Sequence, residues 1–152
     1  MRNFLILFLI VLFFIFLVLT QVFGKSKTKD LGVKDGMLAP CPSTPNCIST
    51  QGDPADTEHY MAPIKYEGTK EEAMQKIVDV VNSMERTKII TREDNYLYTT
   101  FTSKIMKYVD DVEFYLDDNA KLIHFRSASR VGYSDLGVNR ARMEEIVKRF
   151  GE

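Results

Sequence analysis

Between Arg126 and Arg140 the chain reads Arg126-Ser127-Ala128-Ser129-Arg130-Val131-Gly132-Tyr133-Ser134-Asp135-Leu136-Gly137-Val138-Asn139-Arg140, which crowds arginines, hydroxyls, an acid and two glycines into one stretch. Guanidinium groups grip carboxylates or phosphates at two points, and glycines let the backbone turn where other residues resist. A second chemical stretch, Val109-Asp110-Asp111-Val112-Glu113-Phe114-Tyr115, carries three acids. Read as neighbouring strands, the two stretches put Asp111 and Glu113 on one sheet face beside His124, Arg126 and Arg130, because side chains alternate along a strand. One outcome is a solvent-facing ladder of ion pairs, each contributing about 0–1 kcal/mol. The other is a binding site. There the arginines hold a small anionic or lipid-derived ligand, or the acidic tail of a protein partner, and the acids fix the arginines. The amides that open the last helix add partial positive charge, and Tyr133, Asp135, Asn139 and Arg140 complete the site.

Catalytic readings fit less well. Ser127 or Ser129 with His124 and Asp111 supplies the residue types of a nucleophilic triad, but no Gly-x-Ser-x-Gly turn accompanies them. Asp111 and Glu113 offer acid–base chemistry for a hydrolase or oxygens for a divalent cation. Adjacent Asp110 and Asp111 point to opposite faces, which weakens a cluster. Zinc held by Cys41, Cys47 and His59 lacks a fourth ligand. No catalytic residue, cofactor or metal is assigned.

The elements that must position these groups follow from periodicity. Thr69-Lys70-Glu71-Glu72 is a capping box that opens a helix, and Ala73, Met74, Ile77, Val78, Val81 and Met84 form its apolar face. From Thr87 to Val131 short apolar–polar runs rich in tyrosine, phenylalanine, threonine and isoleucine predict strands over Thr87–Thr91, Tyr96–Ser103, Tyr108–Leu116 and Lys121–Ser129. Ile64–Tyr66 is a short first strand. Val112, Phe114 and Leu116 belong with Ile123 and Phe125 on the apolar face. Met143, Ile146, Val147 and Phe150 mark a closing helix stopped by Gly151. The fold class is therefore α+β, an antiparallel sheet of about four to five strands packed by two helices on its apolar face. Pro40 to Pro63 reads as an ordered, irregular loop.

Ahead of this lies an apolar run from Phe4 to Phe23, long enough for a transmembrane helix, since roughly 20 residues cross a hydrocarbon core of about 30 Å. A cleaved signal peptide is the rival reading, but it wants a shorter core and a small-x-small cleavage site. Residues 1–24 are thus read as an anchor, 25–39 as a tether lifting the protein off the membrane, and 40–152 as one α+β domain. Lys25, Lys27 and Lys29 favour a cytoplasmic domain, whereas the very short N-terminal tail favours a signal anchor with the domain outside. The cysteines bear on this choice. Cys41-Pro42-Ser43-Thr44-Pro45-Asn46-Cys47 closes a small loop if oxidised, worth about 2 kcal/mol in an exporting compartment and denied by a reducing cytosol; the alternative is two free thiols. The net charge of −1 becomes −2 without Arg2, so no basic field draws nucleic acid. The partners expected are the membrane through this span, a ligand as above, and a membrane protein.

Three segments, Cys41 through Ser49, Val109 through Tyr115 and Arg126 through Arg140, resemble in order the signature segments of the domain of unknown function 1499 family. The resemblance covers about Pro40 to Phe150. It implies an exported or membrane-associated protein, and it implies that the cysteine loop, the Asp-Asp-x-Glu-Phe strand and the Arg-Ser-Ala-Ser-Arg turn are defining features. No catalytic residue carries over from it.

Overall fold

The computed structural model describes residues 30–152 and, within the N-terminal apolar run, residues 8 and 11–13. Among the described residues no helix is long and apolar enough to cross a membrane, and the expected anchor lies almost wholly outside them.

Between residues 30 and 152 eight elements follow in chain order: β1 (Cys47–Ser49), β2 (Ile64–Lys65), α1 (Lys70–Asn82), β3 (Thr87–Arg92), β4 (Tyr96–Thr102), β5 (Val109–Asp117), β6 (Leu122–Ser129) and α2 (Val138–Gly151). The α+β class holds, with six strands rather than four or five, all paired antiparallel in the order β1-β6-β5-β4-β3, while β2 adds a second short pairing to β6. The capping box works as its spacing requires. Thr69 accepts from the Glu72 amide and Glu72 accepts from the Thr69 amide, which satisfies two donors left orphaned at a helix start.

β1 is a correction. Cys47-Ile48-Ser49 is too short to show alternation and is embedded in prolines, serines and threonines, so it reads as loop. Its pairing partner, not its own pattern, makes it a strand: Cys47, Ile48 and Ser49 sit opposite Ala128, Ser127 and Arg126. At the other end of the sheet β3 is a long open edge, with a register slip between Ile89 and Thr91 and with Lys88, Ile90 and Arg92 exposed.

The alternation on β5 and β6 sorts the side chains as expected. Val112, Phe114, Leu116, Ile123 and Phe125 are buried with Ile77 and Val81 of α1 and Met143, Ile146 and Phe150 of α2 in one core. Both helices cover that face, which excludes water from the apolar side chains and supplies most of the driving force for folding.

The opposite face is also covered, and here the tether reading needs correction. Residues 30–38 run across the sheet instead of spacing it from a membrane. Leu38 is buried with Tyr96 and Tyr98, and Leu31, Val33 and Tyr115 pack against them in a second, smaller cluster. Gln51 pins the segment by accepting from the Leu38 amide and donating to the Gly36 carbonyl. The segment's glycines and charges resemble those of a linker; its three spaced aliphatic residues are what hold it down.

Candidate functional site

The register places Glu113 opposite Arg126 and Asp111 opposite Ala128, so the acids and Arg126 share the face that residues 30–38 roof over. Arg130 reaches back onto the same face. Two ion pairs result, each on a buried carboxylate, with Arg126 buried and Arg130 half-buried. Glu113 is fully buried; its carboxylate accepts from Arg126 Nη1 at 3.3 Å, from the Tyr96 hydroxyl at 2.7 Å and from the Gly32 amide at 2.8 Å. Asp111 accepts two donors of Arg130, from Nε at 3.0 Å and from Nη2 at 2.8 Å, and also the Tyr98 hydroxyl at 2.6 Å. Arg130 Nη2 in turn donates to the Tyr98 oxygen. Burial, reinforced by the Asp111 carboxylate, pushes the Tyr98 hydroxyl up to about 12, and burial with Glu113 drives Tyr96 upward as well. Both phenols therefore serve as hydrogen-bond donors at neutral pH. Asp111 binds Arg130 and keeps its guanidinium protonated beyond its ordinary range.

The expected eight-residue site divides across the sheet. Asn139 lies on the helix-covered side, because α2 packs on the apolar face and carries its first turn with it. There Asn139 is fully buried and donates to the Asn46 carbonyl, Ser129 Oγ and Asp135 Oδ2, while its own oxygen accepts from Ser127 and Arg142. Arg142 also pairs with Asp110 at 2.5 Å and lies 4.8 Å from the Phe101 ring centroid. Asp135 caps α2, since its two oxygens accept from the amides of Gly137 and Asn139. Arg140 Nη2 donates to the carbonyls of Thr57, Glu58 and Tyr60, tying α2 to the loop ahead of β2. Tyr133 is exposed.

The serine–histidine–acid arrangement is not assembled. Ser127 faces α2, whereas His124 lies on the roofed face, contacting Thr50 Oγ1 through Nδ1 and stacking on Tyr115. Burial lowers the His124 pKa, opposed in part by Asp117. Among the described residues no cluster of three or more histidines, cysteines or acids is placed to hold a metal.

Cys41 and Cys47 form a disulfide with Cα atoms 5.6 Å apart. His59 bridges this loop to the next: Nδ1 meets Asp56 Oδ2 at 2.8 Å and Nε2 meets the Thr44 carbonyl at 3.2 Å. Two cavities border the region. One of about 430 Å³ lies along the disulfide loop, Asp56 and His59; the other, about 300 Å³, is lined by Pro45, Ile48, Ser134, Asp135 and Arg140 among others.

Tyr96, Tyr98, Asp110 and Arg142 are the network members that the site expectation missed. Tyr96 and Tyr98 carried a signal, since two tyrosines spaced by two on the strand beside Asp111 and Glu113 place both hydroxyls on the acidic face. Arg142 carried none, as one more arginine on an amphipathic helix is ordinary.

No curated protein matches the sequence. Residues 37–150, from the end of the roofing segment to the last turn of α2, match the family described as Protein of unknown function (DUF1499). That span holds the disulfide loop, the Glu113–Arg126 and Asp111–Arg130 ion pairs and the capped start of α2, and over it the chain belongs to the DUF1499 family.

Proposed function

We propose that this protein is a non-catalytic docking module, an accessory of a membrane assembly, held at the membrane by the run from Phe4 to Phe23 with its domain on the exported side. The observation that carries this reading is the internal commitment of the charges: Asp111, Glu113, Arg126 and Arg130 answer one another under a roof of residues 30–38. A ligand anion at Arg126 or Arg130 would have to displace a buried carboxylate and strand it, which costs several kcal/mol. A hydrolase would need a carboxylate open to substrate, and Asp111 and Glu113 are both closed in. The Cys41–Cys47 disulfide supports export, because reducing compartments do not sustain such bonds.

One observation favours a second reading, a small anionic ligand beside α2. Among the described residues the Arg140 guanidinium meets carbonyl oxygens and no carboxylate, and it lines the cavity of about 300 Å³.

Native mass spectrometry of the full chain from mild detergent separates these readings. The docking module carries no small molecule, and Arg130→Ala lowers its melting temperature. A copurifying ligand that leaves on Arg126→Ala with Arg130→Ala, at unchanged melting temperature, sinks the docking reading; one that leaves only on Arg140→Gln supports the second. Orientation is read by an impermeant thiol reagent on intact cells: Cys41 and Cys47 should react only after reduction. Thiols that react freely inside the cell would overturn the exported placement.

A further inference from the structure

The turn between β4 and β5 and the loop between β6 and α2 leave the sheet side by side. Thr102 pairs with Val109, and the Arg130 amide donates to the Val109 carbonyl at the same end. Seven large apolar side chains are exposed between residues 30 and 152, and five of them are here: Ile105 and Met106 on the turn, Tyr133 and Leu136 on the loop, and Val138 at the first position of α2. The concentration matters because single exposed apolar residues need no explanation and a cluster does. Leu136 is the sharpest case. It is 93 % exposed and held at φ +56°, a left-handed conformation that disfavours a branched side chain, so the fold accepts a strained backbone to present a leucine to its surroundings. Ile105 is 84 % exposed between Lys104 and Lys107, two exposed cations that make no ion pair among the described residues.

We infer that this end of the domain inserts into the interface of an anionic lipid bilayer, the apolar side chains entering the acyl boundary and Lys104 and Lys107 meeting the headgroups. Apolar residues bracketed by lysines suit that boundary, where the chain needs both an oily tip and a positive rim. The inference rests on the membrane-held reading above and deepens it. Because residues 30–38 are docked on the sheet, only the stretch from Phe23 to Asp30 is left as spacer, at most about 25 Å fully extended. Gly32 is fixed on Glu113, four residues along β5 from Val109, or about 13 Å, so the apolar end lies within reach of the bilayer.

The chain has no tryptophan, which permits a depth measurement in the full-length protein. Tryptophan is placed singly by Ile105→Trp, Leu136→Trp and, as a control on the distant β3 edge, Ile90→Trp. Each variant is mixed with phosphatidylcholine vesicles containing brominated acyl chains, with and without phosphatidylglycerol. Emission at 105 and 136 should shift to the blue and lose most of its intensity, more so with phosphatidylglycerol, while emission at 90 stays unchanged. Lys104→Glu with Lys107→Glu should abolish the phosphatidylglycerol increment. Alkaline extraction reads the anchor separately: quenching in a chain that extracts sinks the anchor and leaves the tip proposal standing. Unquenched emission at 105 and 136 overturns the proposal whatever extraction shows, and crosslinking of two copies through those positions would assign the patch to a dimer instead.

Discussion

Glu113 carries three donors in a place water does not reach, and its removal should be felt far beyond one lost contact. Glu113→Ala strands the Arg126 charge, a change that typically costs about 3–5 kcal/mol, whereas Glu113→Leu with Arg126→Met removes both charges together. The double variant should recover part of that loss but not all, because Tyr96 and Gly32 keep donors with no acceptor. Urea unfolding of the oxidised protein compares the two. His59 gives a pH signature of its own. Burial pulls its pKa down, but the Asp56 carboxylate and the Thr44 carbonyl outweigh it and leave the folded value raised. Both ring nitrogens face acceptors, which only the imidazolium satisfies. A raised folded pKa contributes stability that is fully present below the unfolded value of about 6.5 and is lost as pH rises through the folded value. The melting-temperature advantage of wild type over His59→Gln should therefore be widest near about pH 6 and narrow toward about pH 9; a gap that widens with pH would refute the assignment.

At the scale of elements, the start of α2 depends on Asp135, since the N-cap residue Gly137 offers no side chain. Asp135→Ala should cost about 1 kcal/mol and raise hydrogen exchange at the first amides of α2, the penalty expected for a lost helix cap. Much of this level was legible beforehand. The capping box at Thr69, the four long strands and the facing of Asp111, Glu113 and Arg126 all follow from local spacing, which the chain carries wherever it folds. β1 was not legible, because three residues cannot display a period and their strand character comes from the β6 edge. The joining of Asn139 to the sheet-face acids also failed, for a physical reason the sequence did contain. A helix whose Met143, Ile146 and Phe150 pack on the apolar face must start on that face too. The hydrogen-bonding of Asp110 to Arg142 depends on two elements meeting at one height, which spacing within either cannot reveal.

For the molecule as a whole, the sheet is closed on both sides, by two helices and by residues 30–38. The sequence disguised that second cover as a linker, since Leu31, Val33 and Leu38 are too widely spaced to make a run. If the cover holds the ion pairs dry, Leu38→Ala should destabilise the full chain by about 2–5 kcal/mol, as buried leucine truncations do, and should speed hydrogen exchange in β4 and β5. Unchanged exchange there would mean that the cover is dispensable. One last property belongs to β3. Chains crowded at high concentration meet one another often, and an unpaired strand flank is where neighbours zip together. The slipped register at Ile89 to Thr91, with Lys88 and Arg92 outward, twists and charges that flank, so crowding should leave the protein free of fibrillar self-stacking.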